Sequence, residues 1–168
     1  TGLAPTFEMI TDSLTSIMFS IVIGNPDTNA TYQTILDEGI GGGLYLVDTS
    51  SAIVDTRILN NTAKGANSFA GGLCINGGQG ILTHNLQNCL IAGNSTEGNG
   101  GGIALRMYAD PRFDNCTIAD NVAGKLGGGM YVDWSSKAVI FNSIVSGNSP
   151  TDIEQQTSGS VTASSVFY

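Results

Sequence analysis

At 168 residues with 41% apolar content, the chain is expected to fold as one packed domain, and a disordered chain is excluded. Only 12% of residues are charged, six are basic and the net charge is −8, which excludes nucleic acid and disfavours an anionic membrane surface, because both need clustered Lys and Arg. Gly is high at 23 and Pro low at 4, a balance that suits a solenoid whose tight turns recur around a continuous apolar column.

Taken from the N-terminus, the chain opens at Thr1 without a basic n-region, so no signal peptide is expected within it. The apolar stretch at residues 17–23 is too short to cross a bilayer, so no membrane insertion is expected. Phe7 and Met9 fit a degenerate first copy of the glycine-led strand described next. Ile17, Phe19, Val22 and Asn25 then fit the second pattern, aligned with Ile140, Asn142, Val145 and Asn148.

From residue 41 two patterns alternate. The first is a glycine cluster followed by apolar, any, apolar: Gly41-Gly42-Gly43-Leu44-Tyr45-Leu46, then Ala70-Gly71-Gly72-Leu73-Cys74-Ile75, Gly100-Gly101-Gly102-Ile103-Ala104-Leu105 and Gly127-Gly128-Gly129-Met130-Tyr131-Val132. The second is Asn or Asp, two residues, an aliphatic, two residues, Asn: Asp55–Ile58–Asn61, Asn88–Ile91–Asn94, Asn115–Ile118–Asn121 and Asn142–Val145–Asn148. An apolar residue (Ile53, Leu86, Phe113, Ile140) stands two before each first polar position. Apolar-any-apolar runs are short strands with one face inward. The connections are too short for a helix, so equivalent strands pair one rung apart. Leu46, Ile75, Leu105 and Val132 are expected to form one interior column, and Ile58, Ile91, Ile118 and Val145 another. The final residues, Val161 to Phe167, read as a strand of a partial rung.

The expected fold is all-β: a parallel β-helix of about five to six rungs in one domain, 1–168. Its repeats run approximately 5–40, 41–69, 70–99, 100–126, 127–155 and partial 156–168, and the chain would equally fit a fragment of a longer solenoid. Two asparagine ladders are expected to be structural: Asn88, Asn115 and Asn142 in one, and Asn61, Asn94, Asn121 and Asn148 in the other. Stacked amides bond along the ladder and satisfy turn backbone. Cys89 and Cys116 should stack as free thiols, while Cys74 has no partner; three Cys make no disulfide framework.

The phrases NCLIAGNS, NCTIADNVA and NSIVSGNSP, each set against a glycine-led strand, resemble the right-handed β-helix repeats of the pectate-lyase-like superfamily. They are more closely similar to the GGGIY…ITNCTFSGN units of large secreted bacterial β-helix proteins. The resemblance covers nearly the whole chain, strongest over residues 41–150. It implies a right-handed coil and an extracellular or cell-surface setting. It also raises polysaccharide lyases, with a calcium-holding carboxylate cluster and an Arg or Lys base, and galacturonan hydrolases, with paired Asp, Gly-His-Gly and Arg-Ile-Lys strings. None of those strings occurs here, so no catalytic residue is assigned. His84, the sole His, reads as a solvated loop residue with no orienting carboxylate in view. No metal site and no cofactor are assigned; calcium is the one metal that the scattered carboxylates leave open.

The surface with most chemistry is the outward face of the glycine-led strands. Glu8, Tyr45, Cys74, Ala104 and Tyr131 are expected to stack there, beside Ile10, Val47, Asn76, Arg106 and Asp133, with Met107, Tyr108, Asp110 and Trp134 just beyond. Tyr45, Asn76, Arg106, Tyr108, Tyr131, Asp133 and Trp134 are therefore the candidate ligand contacts, since aromatics among polar groups suit sugar rings. The structural alternative is that Tyr and Trp merely cover the sheet while Arg106 pairs with Asp133 one rung away. Three functions are consistent with these features: a recognition module or scaffold for polysaccharide, a carbohydrate-active enzyme, or an adhesin spacer without a ligand. Unpaired solenoid ends would also allow self-association.

Overall fold

A computed structural model describes residues 9–10, 20–24, 39–47, 49–78 and 83–168. Every regular element among them is a strand. Seven strands stack in one sheet, in the order Met9–Ile10, Ser20–Gly24, Leu44–Val47, Leu73–Asn76, Ile103–Arg106, Met130–Val132 and Ile153–Gln155. All its neighbours are parallel except Met9–Ile10, which is antiparallel to Ser20–Gly24. A second sheet carries Ser51–Val54, His84–Gln87, Pro111–Asp114 and Lys137–Ser146. It bends back through Thr117–Ala119, Leu90–Ala92 and Arg57–Leu59, and Ser160–Phe167 pairs along Lys137–Ser146. A third, of two-residue strands, joins Thr62–Ala63, Ser95–Thr96 and Val122–Ala123. The chain thus winds as a parallel β-helix of about four turns, fewer than the sequence count.

The interior columns are observed residue for residue. Leu46, Ile75, Leu105 and Val132 are in register, as are Ile58, Ile91, Ile118 and Val145, and all pack in one buried cluster with Leu86, Phe113 and Ile140. Each such aliphatic removed from water contributes about 1.5–3 kcal/mol, so the columns are the main source of stability.

Two steric demands explain the glycine clusters. Their first residue is left-handed, with φ of +67° at Gly41, +76° at Gly100 and +65° at Gly127, and +56° even at Ala70. Their last residue lies against an asparagine: a Cβ on Gly102 would sit 2.8 Å from the Asn121 amide nitrogen, and one on Gly129 equally close to that of Asn148. The two sequence patterns are therefore parts of one packing unit.

The N-terminal copy requires correction. Ser20–Gly24 pairs with Leu44–Val47, setting Val22 opposite Tyr45 and Ile23 opposite Leu46. Val22 thus belongs to the glycine-led sheet and not to the Val145 column. Met9–Ile10 forms a hairpin with Ser20–Gly24, not a rung. An uninterrupted aliphatic run fits either strand, and no glycine cluster precedes it to set the phase. Phe7, Glu8, Ile17, Phe19 and Asn25 lie outside the described residues.

Candidate functional site

The outer face of the glycine-led sheet is not the open surface expected. Ile40, Ala70 and Phe69, at or just before the left-handed residue of a glycine cluster, pack over Tyr45, Val47, Cys74 and Ala104 as a second apolar cluster. Tyr45 is 3% exposed and its hydroxyl accepts from Asn76 Nδ2 at 3.2 Å. Tyr131 is 6% exposed and donates its O–H to Asp133 Oδ2 at 2.9 Å. Burial and that bond push the Tyr131 phenol up to about 12. Neither ring is available to stack on a ligand.

Tyr108 and Trp134 are available, at 62% and 48% exposure. They stand on turns that follow Ile103–Arg106 and Met130–Val132, and Tyr108 N–H donates to the Trp134 carbonyl one rung away at 3.0 Å. Each turn holds two successive left-handed residues without glycine: Met107 and Tyr108 at φ +51° and +65°, Trp134 and Ser135 at +52° and +60°. Such a conformation costs about 1–2 kcal/mol per residue, and concentrated strain is a pointer to function. One rung earlier the turn is Gly77–Gly78, whose bareness lets the backbone at Tyr108 and Ala109 approach; a Cβ on Gly77 would lie 2.6 Å from Ala109 N. Gly78, Met107, Tyr108, Trp134 and Ser135 line a surface trough of about 380 Å³. Sequence reasoning named both aromatics, but nothing in the residue types marked the left-handed turns that raise them.

Arg106 lies beside this trough, only 8% exposed. Its guanidinium carbon is 3.9 Å from the Phe69 ring centroid and 5.0 Å from that of Trp134. The expected ion pair with Asp133 is absent. Asp133 Oδ2 is taken by Tyr131 and Oδ1 by the Ser158 hydroxyl at 3.3 Å. The ion pair observed among the described residues joins Arg112 to Asp114 at 2.6 Å.

His84 also differs from expectation. It lies in the strand His84–Gln87, 1% exposed, in register with Ser51 and Pro111. Its Nδ1 is 2.9 Å from Ser51 Oγ, while Nε2 is buried without a partner. A nucleophile and base so placed would resemble a dyad, but the ring faces the packed interior, out of reach of a substrate.

The two Asn columns differ in kind. Asn94 and Asn121 are fully buried, and the Asn61, Asn94 and Asn121 side chains each donate Nδ2 to the next Oδ1 at 3.0, 3.0 and 2.9 Å. Each of those oxygens also accepts the backbone N–H of the preceding Asn, and the series ends on Asp152 Oδ1, 2.8 Å from Asn148 Nδ2. Asn88, Asn115 and Asn142 are exposed and left-handed, at φ +53°, +53° and +46°; Asn88 bonds Asp55 and Asn142 bonds Asn115. Cys74, Cys89 and Cys116 are buried free thiols. Among the described residues no cluster of three or more His, Cys, Asp or Glu could hold a metal.

No curated protein and no solved structure matches the chain. A family model described as the right handed beta helix region matches residues 20–166. That span contains the parallel strands from Ser20 to Val166, all four glycine clusters and the whole of the trough, and the chain belongs to the right-handed β-helix family.

Proposed function

We propose that the chain is a recognition module that binds polysaccharide across the Tyr108–Trp134 trough. The observation that carries this reading is the pair of exposed rings on adjacent strained turns. Aromatic faces take the apolar C–H face of a sugar ring, and Asn76, Arg106 and Asp133 supply polar groups close by. Residues at the N-terminal side of the site, Tyr45 above all, act by filling the sheet's outer face and not by touching ligand. The resemblance of the repeats to large secreted bacterial β-helix proteins supports an extracellular or cell-surface setting.

A glycan array followed by calorimetry on any hit tests this. Trp134→Ala and Tyr108→Ala should each weaken binding about tenfold or more, on the scale of a lost aromatic contact. Unchanged binding in both variants removes the trough from the reading. A blank array at high protein concentration favours a spacer without a ligand. A calcium-dependent rise in unsaturated product on uronate polymers would instead establish a lyase.

A further inference from the structure

The Arg106 guanidinium is a cation that carries five N–H donors in a planar fork. Burying such a group is costly unless its charge and donors are met. Phe69 and Trp134 meet the charge through their ring faces, at 3.9 and 5.0 Å. The donors are a different matter: among the described residues no oxygen accepts from the guanidinium and no carboxylate pairs with it. The carboxylate one rung away, Asp133, is committed to Tyr131 and Ser158. The result is a cation 8% exposed, held between two rings, with no protein acceptor for its N–H groups among the described residues. One of those rings, Trp134, is also a wall of the trough.

An oxyanion is the complement of that arrangement, since a carboxylate or sulfate accepts two parallel N–H bonds from a guanidinium edge. With a net charge of −8 the protein repels anions generally, so attraction depends on a local cation of this kind. We propose that Arg106 is an oxyanion subsite at the border of the trough, taking one carboxylate or sulfate group of the ligand. As a statement about polysaccharide, this rests on the trough reading; as a statement about small anions, it stands alone.

The chain's single tryptophan is the built-in reporter, because Trp134 stacks on the proposed subsite. The intact protein is titrated with acetate, sulfate, glucuronate and glucose at ionic strength held constant with chloride. Trp134 emission and the Arg106 Nε–H resonance are followed. The three anions should give saturable changes and glucose none at Arg106, and Arg106→Gln should weaken anion affinity about tenfold or more, as for loss of charged hydrogen bonds. No saturable response to any anion in the unmodified protein overturns the proposal, whether or not the variant folds. An equal response in a folded Arg106→Gln protein overturns it as well. Equal binding of neutral and acidic polymers, abolished by Trp134→Ala, sinks the oxyanion subsite and leaves the trough. A saturable acetate response with no polymer bound does the reverse.

Discussion

Truncating Asn121 is the sharpest probe of how the rungs are held. Its Oδ1 accepts the N–H and Nδ2 of Asn94, at 2.9 and 3.0 Å, and its Nδ2 donates to the Ile91 carbonyl and Asn148 Oδ1, at 3.0 and 2.9 Å. In Asn121→Ala, Asn94 Nδ2 keeps the Ile58 carbonyl and Asn148 Oδ1 keeps the Asn121 N–H. The Ile91 carbonyl stays within the paired strand Leu90–Ala92, so the group left without a partner in a buried setting is the Asn94 N–H. At about 1–3 kcal/mol for an unsatisfied buried group, the loss is about 1–3 kcal/mol. That is a large fraction of the roughly 5–15 kcal/mol typical of a folded domain. The control is Asn115→Gly. Asn115 is exposed, sits at φ +53°, and takes a single bond from Asn142, so glycine suits its backbone and should cost no more than about 1 kcal/mol. Urea unfolding followed by far-ultraviolet circular dichroism measures both. If Asn121→Ala lies within about 1 kcal/mol of the parent, or Asn115→Gly costs as much as it does, the assignment of different roles to the two columns is wrong.

Three further outcomes are expected. Gly102→Ala places a methyl against the Asn121 amide and the Gly129 carbonyl, and should cost about 1–3 kcal/mol by overpacking; a neutral result in the same urea assay would refute the coupling of glycine to asparagine. Burial holds the His84 imidazole below its ordinary pKa of 6.5, so below that pH the unfolded chain binds a proton that the folded one refuses. Stability should therefore fall as pH drops through that value toward the folded pKa, by at most about 1.4 kcal/mol per pH unit, and His84→Leu should flatten the slope; parallel pH profiles for parent and variant would exclude His84 as its source. Burial raises the Cys74 thiol to about 12 and that of Cys116 to about 11, so at pH 8 the native protein should resist iodoacetamide at both, and labelling should require urea. Rapid native labelling of either would contradict the packing described.

Much of the fold was legible because its chemistry repeats. The glycine cluster and the Asn-spaced segment recur at coordinated positions, so the register of Leu46 with Ile75, Leu105 and Val132 followed from alignment alone. The N-terminal strand was not legible for the converse reason: residues 21–23 are an unbroken aliphatic run and carry no turn mark. His84 was misplaced because a polar residue before a strand reads as loop, whereas pairing with Ser51 and Pro111 places it inside. The two Asn columns use one residue type for two purposes, amide bonding in the interior and left-handed backbone at the surface, and residue identity cannot separate them.

The candidate site divides in the same way. Arg106 could be named from its place on the outward face of a glycine-led strand, and Tyr108 and Trp134 from their positions just beyond. Their exposure and partners could not, because these depend on contacts without periodicity. Phe69 folds over the sheet and stacks on Arg106, and Tyr131 takes the carboxylate that Arg106 was expected to hold. The sequence by itself determined which residues share a column, since a repeated pattern must stack on itself to bury its apolar face. Only the tertiary structure decided which outward residues are covered and which are left to meet a ligand, since that depends on how unique side chains fold back across the rungs.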